Sequence, residues 1–251
     1  MSVKAVFFDI SGVLLDGGLL LPGAAEAVQR VEQAGLPYRL VTNTSQQTRA
    51  MLHRQLLSAG LDVEETSIYT APLAAHDYVA KHKLRPFCLV HDNLLGEFAD
   101  LDQDNPNCVV IGDAAEGFTY ARLNEAFRIC LNGAPLVAIG HNKYFKKSGV
   151  FYLDAGPFVE AIEYACDIEA IITGKPSTAF FEQVLDSVQL EASDVALIGD
   201  DVHGDIKGAI NSGMQSRLVR TGKYREQDEH KVEPSASVVE NVLQAVTELL
   251  D

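Results

Sequence analysis

The chain has 251 residues, of which 47% are hydrophobic and 22% are charged. These proportions are ordinary for a folded globular protein and exclude a disordered, collagen-like or coiled-coil chain. Its 20 Lys and Arg residues against 35 Asp and Glu residues give a formal net charge of −15, which excludes a basic surface for nucleic acid or for an anionic membrane.

The cysteines give no sign of a zinc site or of a disulfide framework, because none of the four forms a CxxC pair. The opening MSVKAVFFDI is too short in its apolar part for a signal peptide. No apolar run approaches the ~18 residues that a membrane span needs. We therefore expect a reduced, soluble, cytoplasmic protein with no membrane partner.

The first elements along the chain have the character of a parallel α/β sheet. AVFFD (5–9) and YRLVTN (38–43) are continuous apolar runs, which are typical of strands buried on both faces. Between them, Pro22 and Gly35 mark the start and the end of a helix.

A second α/β alternation follows in the middle of the chain. Strands are predicted at PFCLVH, NCVVIG and PLVAIG, with a helix over 119–131 whose spacing turns Cys130 toward a core. We interpret residues 84–168 as an α/β domain inserted into the first one.

The last part of the chain is predicted to return to the first sheet. AIIT (170–173) and VALIGD (195–200) have the pattern of buried strands, and Ser237 with Glu240 has the spacing of a capping box for a C-terminal helix. The predicted fold class is α/β, with a doubly wound parallel-sheet core formed by 1–83 and 169–251 and an inserted α/β domain at 84–168.

The chemistry-bearing residues follow the predicted strands. Ligands of open α/β sheets bind at the carboxyl ends of the strands, and the residues that the chain delivers there are Asp9, Thr42, Asn43, Lys175 and Asp200. A carboxylate such as Asp9 can attack phosphorus. Lys175 can offset the developing charge, while Thr42 and Asn43 can hydrogen-bond phosphoryl oxygens.

The acidic side chains at this edge also predict a metal ion. Asp9, Asp200, Asp201 and Asp205 would make an oxygen-rich cluster that a divalent cation must neutralise. Mg²⁺ is the hard ion that accepts carboxylates, a backbone carbonyl and phosphate oxygens together.

Four ordered segments carry a family resemblance: DISGVLLDG (9–17), VTNTS (41–45), GKPS (174–177) and GDDVHGD (199–205). In this order they resemble the motifs of haloacid dehalogenase-type phosphatases that carry a large α/β cap between the second and third motifs. DISGVL, NPNCVVIGDA (105–114), the helix start at 118–127 and EYAC (163–166) most closely resemble members acting on phosphohistidine, phospholysine and inorganic pyrophosphate.

The resemblance implies a role for each matching residue. Asp9 is the nucleophile that becomes an aspartyl phosphate, and Asp200 is the second carboxylate on Mg²⁺. Ser11 lies at the substrate and gives its backbone carbonyl to the metal, and Asp201 and Asp205 either support the metal's ligands or serve as alternative ligands. Thr42, Asn43 and Lys175 hold the phosphate.

Position 11 departs from the family pattern. Most of these phosphatases have an aspartate there as general acid and base, and the hydroxyl of Ser11 cannot replace it near neutral pH. General acid–base catalysis contributes about 10²- to 10⁴-fold. We hypothesise that the chain prefers P–N and P–O–P bonds, whose leaving groups need little protonation, and that its phosphoenzyme accumulates.

The inserted domain adds weaker candidates. HNKYF (141–145) resembles the cap segment that faces the leaving group, so Lys143 and Tyr144 are candidates for substrate selection; an ordinary surface loop is the alternative. The predicted partners are a small phosphorylated substrate or a phosphorylated His or Lys side chain. A homodimer formed through the cap is a further hypothesis.

Three other functions stay open at this point. One is a phosphomonoesterase for sugar phosphates or nucleotides. Another is a low-turnover phosphate-binding or phosphoacceptor module. A carbon–halogen hydrolase also fits the fold, but it would leave the acidic cluster without a purpose.

Overall fold

The computed structural model describes residues 3–147, 150–232 and 236–251. The helices in these ranges are α1 (Ala24–Gln33), α2 (Arg49–Ala59), α3 (Ala71–Lys81), α4 (Tyr120–Leu131), α5 (Gly156–Cys166), α6 (Thr178–Val188), α7 (Gly208–Asn211) and α8 (Val242–Leu250). The strands are β1 (Ala5–Asp9), β2 (Leu15–Asp16), β3 (Leu19–Leu20), β4 (Tyr38–Thr42), β5 (Ile68–Thr70), β6 (Pro86–Leu89), β7 (Cys108–Ile111), β8 (Leu136–Ala138), β9 (Tyr144–Lys147), β10 (Val150–Leu153), β11 (Ile171–Ile172), β12 (Val195–Gly199), β13 (Gln215–Val219) and β14 (Ala236–Val239).

The chain divides into two compact units. The first comprises 1–42, 49–69 and 175–251, and the second comprises 43–48 and 70–174. The division differs from the predicted insertion at 84–168 because α3 and β11 both belong to the second unit. Among the described helices, none combines the length and the apolarity that crossing a bilayer requires.

The first unit is built on a six-stranded sheet in the order β14-β13-β12-β1-β4-β5. Strand β1 lies between β12 and β4 and is parallel to both. All five of its residues are buried, as expected for a central strand covered on both faces. Helices α1 and α8 pack on one face, where Phe8, Val28 and Val246 belong to the same core. The parallel-sheet α/β fold is therefore confirmed.

The second unit has its own four-stranded sheet, β11-β8-β7-β6, whose paired strands are parallel. Side chains alternate between its faces, with Val110 and Val137 in the core beside α3 and Val109 and Ala138 in the core beside α4 and α5. Strands β9 and β10 form a separate antiparallel hairpin.

The expected return of the chain at AIIT (170–173) is wrong. Ile171 and Ile172 pair with Val137 and Ala138 of β8, so β11 is an edge strand of the second sheet. The chain re-enters the first unit at Lys175. A short apolar run indicates burial in a strand but carries no information about which sheet accepts it.

The predicted helix ends have mixed outcomes. The helix predicted over 119–131 is observed as α4, and Cys130 is buried, as predicted. Thr119 caps this helix by accepting a hydrogen bond from the amide of Arg122. The capping box at Ser237 is wrong, because Ser237 lies inside β14 and Asn241 is the residue that caps α8. The Ser-x-x-Glu spacing occurs here by coincidence, since residues 236–239 pair with β13.

Candidate active site

Neighbouring strands of the first unit deliver two carboxylates to the same edge. Asp9 is the last residue of β1, and Asp200 follows directly after the adjacent parallel strand β12. Thr42 ends β4 on the other side of β1. All three are buried, with Asp9 6% exposed and Asp200 2% exposed. The sheet topology thus gathers these residues as predicted.

Lys175 lies inside this group, although it is 166 positions from Asp9. Its buried Nζ donates to Asp9 Oδ1 at 2.5 Å and to Asp205 Oδ1 at 2.6 Å. Buried charges are tolerated only when they are paired and hydrogen-bonded, and the ammonium meets that condition twice. Lys175 therefore links the first strand to the segment after β12.

The carboxylates outnumber the cation at this site. Asp9, Asp200 and Asp205 are all buried, and each places an oxygen within 4.8 Å of the others. Three ionised carboxylates and one ammonium leave a local charge of −2, which buried groups do not sustain alone.

The donor set fits a magnesium ion. Oxygens on a Mg²⁺ octahedron of about 2.1 Å radius lie roughly 3 to 4.2 Å apart, which the clustered oxygens can reach with small movements. Asp9 and Asp200 are the residues best placed to hold such an ion, since each ends or follows a rigid central strand.

The acidic cluster shifts the proton equilibria. Burial raises the pKa of Asp9 to about 6, although Lys175 opposes the rise. Burial, and then the charges of Asp9 and Asp205, raise the pKa of Asp200 to about 7. Burial also works against the charged form of Lys175, but the two carboxylates that it contacts outweigh that effect and raise its pKa. The metal-free site therefore retains protons near neutral pH.

Asp205 has both oxygens engaged by protein donors. Oδ1 accepts from Lys175, and Oδ2 accepts from the amide of Asp201 at 3.2 Å. Its carboxylate is thus aimed mainly at the lysine. Its predicted role as a metal ligand stays a prediction, and its observed contacts are those of a group that orients Lys175.

The carboxylate of Asp201 makes different contacts from those of Asp205. One oxygen accepts from the amides of His203 and Gly204, and the other accepts from Lys223 Nζ at 3.1 Å. Burial favours protonation, but Lys223 and these amides lower the pKa of Asp201. The side chain of His203 is exposed. Asp201 therefore acts here as a cap for the segment that follows.

Sequence reasoning missed the segment Thr221–Lys223. The hydroxyl of Thr221 donates to the carbonyl of Gly12 at 2.5 Å, and the amide of Lys223 donates to Asp200 Oδ2 at 2.7 Å. Gly12 and Gly222 approach closely, since a Cβ on either would lie 2.0 Å from Asp200 Oδ2. The available signal was position: the segment begins two residues after β13, at the same edge of the sheet.

A cleft of about 260 Å³ opens beside Asp200. Its walls are Asp200, Asp201, Val202, His203, Lys223, Arg225, Gln227, Asp228 and Lys231. Of the three clustered acids, Asp200 lines this cleft.

The remaining predicted residues lie in two places. Ser11 is exposed and belongs to the loop after Asp9, where its backbone bridges to Leu15. Asn43 follows Thr42 in the chain but belongs to the second unit, as do Lys143 and Tyr144. The structure of the first unit therefore brings together Asp9, Thr42, Lys175, Asp200 and Asp205, and the roles of Asn43, Lys143 and Tyr144 stay predictions.

The chain resembles known proteins over nearly all of its length. Residues 6–104 match the model of a family described as haloacid dehalogenase-like hydrolases, and residues 172–245 match a second model of the same kind. Human phospholysine phosphohistidine inorganic pyrophosphate phosphatase is 43% identical over 99% of this chain and 94% of its own length.

Two further comparisons agree. Bovine haloacid dehalogenase-like hydrolase domain-containing protein 2 is 42% identical over 93% of this chain and 90% of its own length. Among solved structures, p-nitrophenyl phosphatase from Archaeoglobus fulgidus superposes with a TM-score of 0.91 at 25% identity, covering 99% of this chain and all of that one.

Proposed function

The chain belongs to the haloacid dehalogenase-like hydrolases, and from that membership we propose that it is a Mg²⁺-dependent phosphohydrolase acting through Asp9 on P–N and P–O–P bonds. The observation that carries the proposal is the buried Asp9 carboxylate, hydrogen-bonded to Lys175 within a cluster of three acids. The human relative is named for phospholysine, phosphohistidine and pyrophosphate, which supports this substrate class.

In the first step, a carboxylate oxygen of Asp9 attacks phosphorus. The bond from phosphorus to the leaving nitrogen or oxygen breaks, and its electron pair goes to the leaving group. Lys175 offsets the charge of the transferring phosphoryl group, and Thr42 and Asn43 hydrogen-bond its oxygens. The rigid strand β1 keeps the nucleophile in place.

The residues that would hold Mg²⁺ are the carboxylates of Asp9 and Asp200 and the backbone carbonyl of Ser11. When bound, the ion supplies positive charge to the phosphoryl oxygens and lowers the barrier to attack. The excess negative charge of the cluster supports its presence.

In the second step, water attacks the phosphorus of the aspartyl phosphate. The phosphorus–Asp9 bond breaks and its electron pair restores the carboxylate, while the water oxygen leaves with one proton on inorganic phosphate and the other proton passes to solvent. The exposed hydroxyl of Ser11 cannot accept the proton of water near neutral pH. This step is therefore slow, and the phosphoenzyme accumulates.

The same serine determines which leaving groups depart easily. An amine or imidazole leaves already protonated on nitrogen, and phosphate leaves as a stable anion. A sugar alkoxide requires a proton that Ser11 cannot donate, which removes the ~10²- to 10⁴-fold contribution of general acid catalysis. P–N and P–O–P bonds are thus the favoured substrates.

Activity on a phosphomonoester is a second candidate. The solved p-nitrophenyl phosphatase has the same fold over the full chain, and p-nitrophenolate is also a stable anion that leaves without protonation. Aryl phosphates therefore need no protonation of their leaving group, whereas alkyl phosphates do.

The test is phosphate release from phosphohistidine, phospholysine, pyrophosphate, p-nitrophenyl phosphate and a sugar phosphate, with Mg²⁺ and with EDTA. We expect wild type to hydrolyse the first four at least about 100-fold faster than the sugar phosphate. Asp9→Asn should abolish turnover on all, and the exposed acid variant Asp16→Asn should not. Equal rates on sugar phosphate and pyrophosphate would contradict the assigned preference.

Ser11→Asp provides the converse experiment. A carboxylate at position 11 should raise kcat on the sugar phosphate by about 10-fold or more, because it can protonate an alkoxide. It should also shorten the lifetime of the phosphoenzyme, measured by rapid-quench labelling. If wild type shows no labelled Asp9 during steady-state turnover, the slow second step is wrong.

A further inference from the structure

We propose that Thr221 is a positioning residue for the metal site, and that the segment Thr221–Lys223, here named the clasp, holds the loop after Asp9 against Asp200. The inference rests on the proposed function in one respect, namely that Asp200 and the carbonyl of Ser11 bind Mg²⁺. It assigns to the clasp the task of keeping these two groups at a fixed separation.

The clasp contacts both sides of the site. From the hydroxyl of Thr221 a hydrogen bond reaches the carbonyl of Gly12 at 2.5 Å. Two residues on, the amide of Lys223 donates to Asp200 Oδ2 at 2.7 Å. One three-residue segment therefore joins the loop after β1 to the residue after β12.

The contact at Gly12 fixes the peptide group that precedes it as well. The amide of Gly12 donates to the carbonyl of Leu15 at 2.6 Å, while its own carbonyl accepts from Thr221. Because a trans peptide is planar, the direction of the Gly12 amide determines the direction of the Ser11 carbonyl. Both peptide groups around Gly12 are thus held.

The clasp is itself anchored at its two ends. Arg220 donates to Glu229 at 2.8 Å and also contacts Glu240, and the hydroxyl of Tyr224 donates to the same Glu229 at 2.5 Å. The residues on either side of the clasp thus share Glu229 as a partner. These pairs are partly exposed and contribute little on their own, so the positioning contacts of the clasp are those that it makes with Gly12 and Asp200.

The ammonium of Lys223 has a smaller part in this task. Its side chain is 71% exposed and pairs with Asp201, and exposed ion pairs contribute little. Removing that charge beside a cation site does not weaken cation binding, because the repulsion between the two positive charges disappears. The positioning contact of Lys223 is its main-chain amide, which a side-chain substitution leaves in place.

The prediction is a loss of Mg²⁺ affinity without loss of fold. In Thr221→Val, the hydroxyl is replaced by a methyl group of similar size, so the loop after Asp9 is no longer tied to the clasp. We expect the dissociation constant of Mg²⁺ to rise about tenfold, since the variant loses one hydrogen bond and leaves the carbonyl of Gly12 unsatisfied. Thr221→Ser retains the hydroxyl and should restore affinity to within about twofold.

The experiment is calorimetric titration of the full chain with Mg²⁺ alone, in the absence of substrate. Thr247→Val is the matched control, because that hydroxyl also donates to a backbone carbonyl, at 2.8 Å, but on α8; it should leave the dissociation constant unchanged. Thermal unfolding in EDTA separates loss of fold from loss of affinity. Should Thr221→Val be unfolded, Thr221→Ala and Thr221→Ser carry the comparison.

The outcomes are distinct. Tenfold weaker binding in Thr221→Val, rescue in Thr221→Ser and no weakening in Lys223→Met support the clasp. Unchanged binding in a folded Thr221→Val, or weakening in Lys223→Met alone, overturns it. If wild type itself binds no Mg²⁺ at millimolar concentration, the proposed function fails instead.

Discussion

Neutralising one carboxylate of the cluster should stabilise the metal-free protein. Asp200→Asn keeps the shape of the side chain, and its amide oxygen can still accept from Lys223. The substitution removes a charge that is 2% exposed and lies beside two other acids. The ionised carboxylate of Asp200 is therefore unfavourable in the metal-free fold.

The magnitude of the stabilisation by Asp200→Asn follows from the pKa of Asp200. A rise in the pKa of Asp200 from 3.8 to about 7 disfavours its ionised form by about 4 kcal/mol, at about 1.4 kcal/mol per tenfold change. Because Asp9 shares this repulsion, we expect Asp200→Asn to recover about half, or ~2 kcal/mol. For a chain of this length that corresponds to a rise in Tm of about 4–8 °C.

The stability gained by Asp200→Asn depends on pH with a defined sign. Below about pH 4, Asp200 is protonated in both the folded and the unfolded protein, so the penalty is absent. It grows between the ordinary pKa of 3.8 and the folded value of about 7, and it is constant above that. The advantage of Asp200→Asn over wild type should therefore be largest above pH 7 and vanish near pH 4.

The assay is thermal unfolding in EDTA at pH 4, 6 and 7.5, repeated with 10 mM Mg²⁺ at pH 7.5. Mg²⁺ should raise the Tm of wild type, by mass action on the folded state, and should have little effect on Asp200→Asn. Asp16→Asn, an exposed acid, should stay within ~0.5 kcal/mol of wild type. Equal or lower stability of Asp200→Asn in EDTA at pH 7.5 would refute the electrostatic reasoning.

Two further predictions concern the same cluster. Lys175→Met should destabilise the metal-free protein by about 3–5 kcal/mol and abolish turnover, because it leaves buried carboxylates without their cation. Denaturant unfolding measures the stability and phosphate release measures the turnover, and a variant as stable as wild type would contradict this reasoning. The affinity for Mg²⁺ should fall at least about tenfold between pH 7.5 and 5.5, since the raised pKa values of Asp9 and Asp200 mean that protons must leave before the ion binds. Titration calorimetry in two buffers of different ionisation enthalpy should detect that proton release near pH 6.5, and an affinity independent of pH would contradict it.

The sequence was sufficient to predict which residues of the candidate site meet at one edge of the sheet. Asp9, Thr42 and Asp200 each end or follow an apolar run of four or five residues, and such runs become neighbouring parallel strands with one common edge. Lys175 was found from its motif, although the strand expected before it, AIIT, belongs to the other sheet. The position of a strand within a sheet depends on pairing partners that are distant in sequence, and a local apolar pattern cannot specify them.

The contacts that the sequence did not reveal also join residues that are distant in the chain. Thr221 and Gly12 are 209 positions apart, and no local spacing relates them. The hydrogen bonds that Asp205 accepts from Lys175 and from the amide of Asp201 distinguish its role from that of Asp200. These contacts likewise become known only with the folded backbone. Local signals that do exist can mislead, as Ser237 and Glu240 did, because strand pairing overrode a helix-start pattern.

The meeting of Gly12 and Gly222 has a consequence for how this chain can diverge. A methyl group on either residue would strike the same oxygen of Asp200, and each would also press on the other's Cα. A substitution at one glycine would already displace the Asp200 carboxylate, so a second substitution at the other would cost less than it costs alone. The effects of the two substitutions are therefore not additive. Descendants of this sequence should therefore keep both glycines while the site is under selection, and drift at both together after it is lost.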